Sequence, residues 1–294
     1  MLETAVRASG RAKQAVVARV VPLRVLTDTR HRRRLRQFEP YLPTLPSERE
    51  AVLEAVRTQG ASTTSLDALG LPGTAELKTA VQELVTEFAP GFGQDQDTVR
   101  FERERLHEQP ALWQWGVSEP LLDMVENYLG LPARYVGPGI RCERATGEAV
   151  GARQWHRDIE DRRMLKLLIW LNDVDDQGGP FEYVERAHTE ELTRSMRYVS
   201  GYISDDALEQ RVPRSEWRRA TGPTWTCVFA DPRNIFHRAM PPVRRDRYSL
   251  TFFFTSRSPL RSLPSAPVTA RERELATRGL NARQLACLTR AYTR

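Results

Sequence analysis

The chain has 294 residues, of which 40% are hydrophobic and 28% are charged. This composition is typical of a globular protein with a sizeable core, and it excludes a disordered or collagen-like chain. Three cysteines, Cys142, Cys227 and Cys287, lie too far apart for a zinc motif or a redox pair. We therefore expect reduced thiols in a cytoplasmic protein.

The positive charge is concentrated at the start of the chain. Residues 1–36 hold ten lysines and arginines against Glu3 and Asp28, and such a basic arm could contact nucleic acid, an anionic membrane or an acidic carrier. A solvated helix face is the simpler interpretation, because the arm lacks aromatic residues and no nucleic-acid motif follows it. Its apolar stretch is interrupted by Arg19 and Arg24, which argues against a membrane span. No pattern indicates the oligomeric state.

Residues 1–133 are predicted to be mostly helical and to pack on the core. Capping residues and apolar spacing predict three helices in this region. These helices are Ala51–Thr58 after a capping box at 47–50, a helix from Thr74 to before Pro90, and a helix from Ser118 to Gly130.

Residues 134–258 change to short β-like runs separated by turn residues, and residues 259–294 return to helix. The predicted strands are Met164–Leu171, Phe181–Val184, Trp225–Phe229 and Tyr248–Thr255, and the predicted tail helices are Arg271–Thr277 and Ala282–Tyr292. Because long helices do not alternate with the strands, an antiparallel sandwich or barrel is favoured over a doubly wound sheet. A single, mainly β domain with helical additions (α+β) is expected.

Two histidines and one aspartate form a candidate metal site. In an extended strand His156 and Asp158 share a face with Gln154, and His237 follows His156 by 81 residues. Two imidazoles and one carboxylate are the ligand set of a facial Fe(II) site, which leaves open positions for a bidentate keto acid and dioxygen.

Each of these residues also has an ordinary explanation. His156 beside Asp158 could be a buried histidine held by an acid, and His237 could be a hydrogen-bonded or surface histidine. The spacing carries weight because the chain has only five histidines. Zinc is a further interpretation, although no glutamate or second metal cluster is placed as a base.

An arginine follows the second histidine by ten residues. Arg247 and Ser249 share one face of a predicted strand, where a guanidinium fork and a hydroxyl could bind the carboxylate of an acidic cosubstrate. An ordinary ion pair is the alternative, because Arg244 and Arg245 stand beside Arg247.

Three segments resemble the phytanoyl-CoA dioxygenase family of Fe(II)- and 2-oxoglutarate-dependent oxygenases. They are "QWHRD" (154–158), "LLIWLNDVDDQGGPFEYVERAHT" (167–189) and "FADPRNIFHRAMPPVRRDRYSLTFFF" (229–254). The resemblance spans roughly residues 134–257. The chain departs from the family at residues 185–188, where Glu-Arg-Ala-His replaces the usual proline, glycine and serine before the histidine.

The resemblance implies a double-stranded β-helix (jelly roll) with Fe(II) at His156, Asp158 and His237. It also implies that 2-oxoglutarate binds Arg247, helped by Ser249, and that hydroxylation yields succinate and carbon dioxide as coproducts. Halogenation is not expected, since family halogenases lack the acid.

Three more side chains could line the cavity. Gln154 shares the face of the ligands, and Lys166 and Trp170 share one face of their strand, although a plain core role suits Trp170. His188 is expected to make a structural hydrogen bond at the family turn.

The substrate is the least defined part of the prediction. Specificity should lie in loops and helical additions, here residues 90–116 with Trp113 and Trp115, and residues 186–217. We expect a small molecule of specialised metabolism. A peptide, protein or carrier-bound substrate docked by the basic arm is the alternative, and a non-catalytic metal-binding jelly roll is a further one.

Overall fold

The structure is a computed structural model that describes residues 21–87, 96–261 and 267–293. The first twenty residues of the basic arm and the predicted helix end at Pro90 lie outside the described residues. The helices are α1 (Val21–Phe38), α2 (Ser47–Thr58), α3 (Thr74–Thr86), α4 (Arg103–His107), α5 (Pro110–Gly116), α6 (Glu119–Leu129), α7 (Arg186–Ser195), α8 (Asp205–Glu209), α9 (Ala270–Thr277), α10 (Ala282–Cys287) and α11 (Arg290–Thr293).

Two antiparallel sheets form the centre of the fold. The strands are β1 (Ala61–Ser65), β2 (Thr98–Arg100), β3 (Ala133–Glu143), β4 (Leu165–Trp170), β5 (Phe181–Val184), β6 (Trp217–Ala220), β7 (Thr226–Ala230), β8 (His237–Ala239) and β9 (Arg247–Ser256). The larger sheet has the order β1-β7-β4-β9-β3-β2, and the smaller one has the order β6-β5-β8. Apolar side chains of both sheets pack together in one buried cluster, so the predicted jelly-roll core is confirmed.

The outer face of the larger sheet packs against helices. Alternate residues of β4 and β9, such as Leu167 and Phe252, are fully buried in one large apolar cluster with side chains of α3, α5 and α6. The period of two along each strand sends the intervening residues to the opposite face, toward the smaller sheet. Those intervening residues form one wall of the candidate site.

Several element boundaries differ from the predicted ones. Helix α2 starts at Ser47 with Pro46 at its N-cap and no side-chain cap, so the predicted capping box is wrong. The predicted tail helix breaks at Leu288, which has an extended backbone and ends α10. Strands β1 and β2 lie within the region predicted as helical, and both pair with core strands.

The segment expected to form a turn before His188 begins a helix instead. Glu185 is the extended N-cap of α7, and His188 lies within the first turn of that helix. Its Nε2 atom lies 3.8 Å from a carboxylate oxygen of Glu216. Among the described residues, no helix is both long and apolar enough to cross a membrane.

Candidate metal and cosubstrate site

The two histidines are brought together by backbone pairing. His156 and His237 form an antiparallel bridge in which each N–H donates to the other carbonyl at 3.0 Å. A short 3-10 helix, Gly151–Arg153, precedes residues 154–158, and these residues, expected as an extended strand, form isolated bridges at Trp155 and His156. Trp155 then bridges to Ile203, and this pairing directs His156 into the space between the sheets.

Asp158 completes the cluster. Its N–H donates to the carbonyl of Pro232 at 2.9 Å, and its Oδ1 lies 3.7 Å from Nε2 of His156 and 4.0 Å from Nε2 of His237. One ligand atom from each of the three residues lies within 4.8 Å of the other two. The predicted ligand set therefore converges on one point.

Hydrogen bonds orient the imidazoles and the carboxylate. Nδ1 of His156 donates to the carbonyl of Gln154 at 2.8 Å, and Nδ1 of His237 donates to that of Ile235 at 3.3 Å. A proton on Nδ1 leaves the Nε2 lone pair of each ring free to bind a metal. Lys166 donates to Oδ2 of Asp158 at 2.5 Å, so the carboxylate offers its other oxygen to the histidines.

The electrostatics favour protonation states that bind a metal. Burial lowers the pKa of His237 to about 3, which keeps that imidazole neutral at pH 7. Burial alone would raise the pKa of Asp158, but the Lys166 ammonium and the two histidines bring it below its usual value. The site thus presents a neutral imidazole and an ionised carboxylate, as metal binding requires.

A buried network fixes the loop between β7 and β8. The Tyr128 hydroxyl on α6 donates to Asp231 at 2.5 Å, and Asn234 donates to the same carboxylate oxygen at 2.7 Å. The Asp231 N–H donates to the carbonyl of Gly60 at 2.9 Å. This loop carries Pro232, which accepts from Asp158, so the helical region helps to position the ligand cluster.

Arg247 lies at the start of β9, where it is 2% exposed. Its Nη1 donates to the carbonyl of Gly179, its guanidinium stacks 5.1 Å from the Trp170 ring, and its Nη2 lies 3.9 Å from Glu143. Burial lowers its pKa to about 10 despite Glu143, so it stays charged at neutral pH. Its Nε and the Oγ atom of Ser249 are buried without a hydrogen-bond partner among the described residues.

The loop predicted at residues 172–179 holds Arg247 in place. The Asn172 side chain donates to the carbonyl of Asp246 at 2.9 Å and accepts from the N–H of Tyr248 at 2.8 Å. Gly179 has φ of 70°, and a Cβ there would lie 2.5 Å from the carbonyl oxygen of Met240. Only glycine fits this position comfortably, and its carbonyl accepts from Arg247.

His156 and His237 line one cavity with Arg247, and Asp158 lies against both histidines. The polar lining of the cavity consists of Arg141, His156, Lys166, His237, Arg247, Ser249 and Thr251. Its apolar lining consists of Ala152, Leu168, Phe181, Ala230, Pro232 and Ala239. Lys166 lines this cavity and also donates to the candidate ligand Asp158.

Two of the predicted lining residues make other contacts. Gln154 contributes its backbone carbonyl to His156, and its side chain is absent from the lining set of described residues. Trp170 is fully buried, donates from Nε1 to the carbonyl of Ala220 at 3.1 Å and stacks on Arg247. Trp170 thus supports the site from behind.

Trp113 and Trp115 lie on the other side of the larger sheet. Trp113 packs against Tyr135 and Tyr292, and Trp115 packs against Phe252. Both belong to the core between sheet and helices, so the expectation that they form part of the substrate pocket is wrong.

Arg141 and Thr251 line the cavity although no motif singled them out. Thr251 extends the alternation of Arg247 and Ser249 by one step, so strand parity alone could have indicated it. Arg141 lies on β3, which carries glycines and a proline at residues 137–139 and has a bulge at Tyr135/Gly137. Because glycine and proline normally interrupt a strand, the sequence does not predict this strand or the face from which the Arg141 side chain projects.

The chain is similar to several solved structures. AviO1 from Streptomyces viridochromogenes is 20% identical, with 76% of this chain and 100% of that chain covered and a TM-score of 0.45. EctD from S. alaskensis is 18% identical, with 72% and 77% covered and a TM-score of 0.49. HygX from Streptomyces hygroscopicus, solved with nickel, 2-oxoglutarate and hygromycin B bound, is 14% identical, with 71% and 87% covered and a TM-score of 0.47.

No protein-family model and no curated protein sequence matches this chain. These structures are 20% identical or less to this chain and have TM-scores below 0.5, so no activity is transferred from them.

Proposed function

We propose that this protein is a non-haem Fe(II)- and 2-oxoglutarate-dependent oxygenase that hydroxylates a small molecule. The observation that carries the proposal is the convergence of His156, Asp158 and His237, with both histidines lining the same cavity as Arg247. The histidine–aspartate cluster and the arginine each have an ordinary explanation when taken alone. Together, a facial ligand set and a buried arginine suit the binding of a chelating keto acid.

The donor set fits both the metal and the cosubstrate. Nε2 of His156, Nε2 of His237 and Oδ1 of Asp158 would hold Fe(II). The unpartnered Nε of Arg247 and hydroxyl of Ser249 would bind the distal carboxylate of 2-oxoglutarate, which would satisfy two buried polar atoms at once. When bound, this iron supplies oxidation of an unactivated C–H bond by dioxygen, with succinate and carbon dioxide as coproducts.

The chain's own residues orient the reactants and limit water. Lys166 holds Oδ2 of Asp158, so that only one carboxylate oxygen points to the histidines. Leu168, Phe181 and Ala239 provide the apolar part of the lining, which excludes water from the reacting carbon. Hydroxylation is the proposed outcome because Asp158 occupies the ligand position that family halogenases leave open.

Turnover of 2-oxoglutarate tests this function. Wild-type protein with Fe(II) should release succinate in proportion to oxygenated product when the matching compound of a small-molecule library is present, with the product read by mass spectrometry. The Asp158→Ala variant should lose at least about a hundredfold in rate, because even the outer partners of metal ligands contribute 10–100-fold. Full activity of that variant would refute the proposed ligand set.

An exposed acid near the start of the chain provides a control. Asp28 on α1 pairs with Arg162 at 3.0 Å and is partly exposed, so Asp28→Ala removes one carboxylate without touching the cavity. This variant should retain wild-type succinate release. A role of the basic arm in docking a carrier-bound or peptide substrate stays a prediction, tested by whether deletion of residues 1–36 raises KM for such a substrate alone.

A further inference from the structure

Two arginines stand side by side at one edge of the larger sheet. Arg141 on β3 and Arg100 on the edge strand β2 are direct partners in the antiparallel register, so their side chains project from the same face. Arg141 lines the cavity, whereas Arg100 is exposed. Like charges in such a pair repel each other unless an anion lies between or beside them.

Neither guanidinium is neutralised by the described part of the chain. Within residues 21–87, 96–261 and 267–293, Arg141 and Arg100 form no ion pair within 4.0 Å and no side-chain hydrogen bond. The other two cations of the cavity do have acidic neighbours. Lys166 contacts Asp158 at 2.5 Å, and Arg247 lies 3.9 Å from Glu143.

Arg141 is less exposed to solvent than Arg100. Burial lowers its pKa, Arg100 lowers it further, and Glu143 and Asp158 act in the opposite direction without contacting it. The side chain is only partly buried, so the guanidinium keeps its charge and is accessible to a ligand that enters the cavity. Arg141 lines the same cavity as the candidate metal ligands His156 and His237.

We infer that Arg141, assisted by Arg100, binds an acidic group of the substrate, such as a carboxylate. The inference rests on the proposed function, because the two carboxylates of 2-oxoglutarate then already have partners: one at the metal and the other at Arg247. A second anion in the cavity would then pair with Arg141. A guanidinium fork recognises the paired oxygens of a carboxylate, and an acid held there would share the cavity with His156 and His237.

Matched acids and amides test this site. Anaerobic protein loaded with Fe(II) and 2-oxoglutarate is titrated calorimetrically with a library of small carboxylic acids and with the primary amide of each acid. Wild-type protein should bind at least one acid about tenfold or more tightly than its amide, the scale of one hydrogen bond to a charged group. Arg141→Gln should reduce that preference to less than about twofold and leave amide affinity unchanged, whereas Arg141→Lys should retain part of it.

A second arginine on the same strand serves as the control. Arg134 lies near the other end of β3, where its guanidinium donates to the carbonyl of Arg257 at 2.9 Å. Arg134→Gln removes the same charge from the protein and should keep the full preference for acids. Equal loss in this variant would show a general effect of net charge and overturn the inference.

The affinity for 2-oxoglutarate separates the two proposals. If Arg141→Gln weakens the binding of 2-oxoglutarate as much as Arg247→Gln does, Arg141 binds the cosubstrate and the inference is wrong. It is also wrong if no acid binds wild-type protein more tightly than its amide. If the wild type does not bind 2-oxoglutarate yet prefers acids through Arg141, the anion site stands and the proposed oxygenase function fails.

Discussion

The two faces of the larger sheet are built from the same strands but differ in almost every property. On the outer face, alternate residues of β4 and β9 such as Leu167, Leu250 and Phe252 are apolar, fully buried and packed against helices. On the inner face, the residues between them include Lys166, Arg247 and other polar side chains around a cavity. One strand therefore contributes to stability on one side and to binding on the other.

Hydrogen bonding differs between the faces in the same way. Nε of Arg247, Oγ of Ser249 and Oγ1 of Thr251 are buried on the inner face without a partner among the described residues. Buried polar atoms without partners lower stability, so a cavity that keeps three of them is suited to a polar ligand. The inner face therefore lowers the free energy of unfolding, whereas the apolar outer face raises it.

The largest expected effect is a difference in unfolding free energy between variants of two adjacent residues on opposite faces of β9. Phe252→Ala should reduce the free energy of unfolding by about 3–5 kcal/mol, because it leaves a cavity beside Trp115. Thr251→Val should change it by less than about 1 kcal/mol, since the hydroxyl it removes has no partner. Urea unfolding of both variants measures the difference. Equal destabilisation would contradict the division between the faces.

Arg247→Gln should weaken 2-oxoglutarate binding by about 10–100-fold, the range expected for losing hydrogen bonds to a charged group. The free energy of unfolding should fall by about 1–3 kcal/mol, because the variant loses the hydrogen bond to the Gly179 carbonyl and the stacking on Trp170. Anaerobic calorimetry with Fe(II) present measures the affinity. The neighbouring variant Arg245→Gln, which loses an exposed pair with Asp175, should bind 2-oxoglutarate like the wild type.

Lys166→Met should weaken Fe(II) binding by about 10–100-fold, the range for partners that orient metal ligands. The variant keeps most of the length of the side chain but removes the donor that holds Oδ2 of Asp158. Competition with a coloured chelator measures the metal affinity. Unchanged affinity would show that the carboxylate is oriented by its backbone contact to Pro232 alone.

The smallest effect is expected from Ser249→Ala. The variant should weaken the binding of 2-oxoglutarate by only a few-fold. The metal-free variant should be as stable as the wild type or up to about 1 kcal/mol more stable, since the substitution deletes a buried hydroxyl without a partner among the described residues. Calorimetry and urea unfolding on one preparation measure both quantities. A variant that loses stability without any change in affinity would assign Ser249 to the core.

Much of the central fold could be predicted because its strands have clear local patterns. The apolar runs of β4, β5, β7 and β9 are bounded by turn residues, and the observed strands differ from the predicted ones by one residue or less at each end. Strand β1, Ala61–Ser65, could not be found in this way. Its sequence is polar apart from one alanine, and it is a strand because it pairs with β7 more than 160 residues away.

The candidate site shows the same limit. His156, Asp158, His237 and Arg247 could be identified in the sequence because each lies within a short motif. The contacts that orient them were not, since Lys166 reaches Asp158 only after β4 folds beside the ligand loop. Arg141 was hidden for a further reason, because β3 contains the glycines and proline that normally interrupt a strand.

An anaerobic titration of the Fe(II)-loaded protein with 2-oxoglutarate tests the central claim most directly. A keto acid that chelates iron held by His156, Asp158 and His237 should produce a weak visible charge-transfer band in the wild type. The band should be absent when either component is left out, and absent from Asp158→Ala. No band in the wild type, or an undiminished band in Asp158→Ala, would contradict the account.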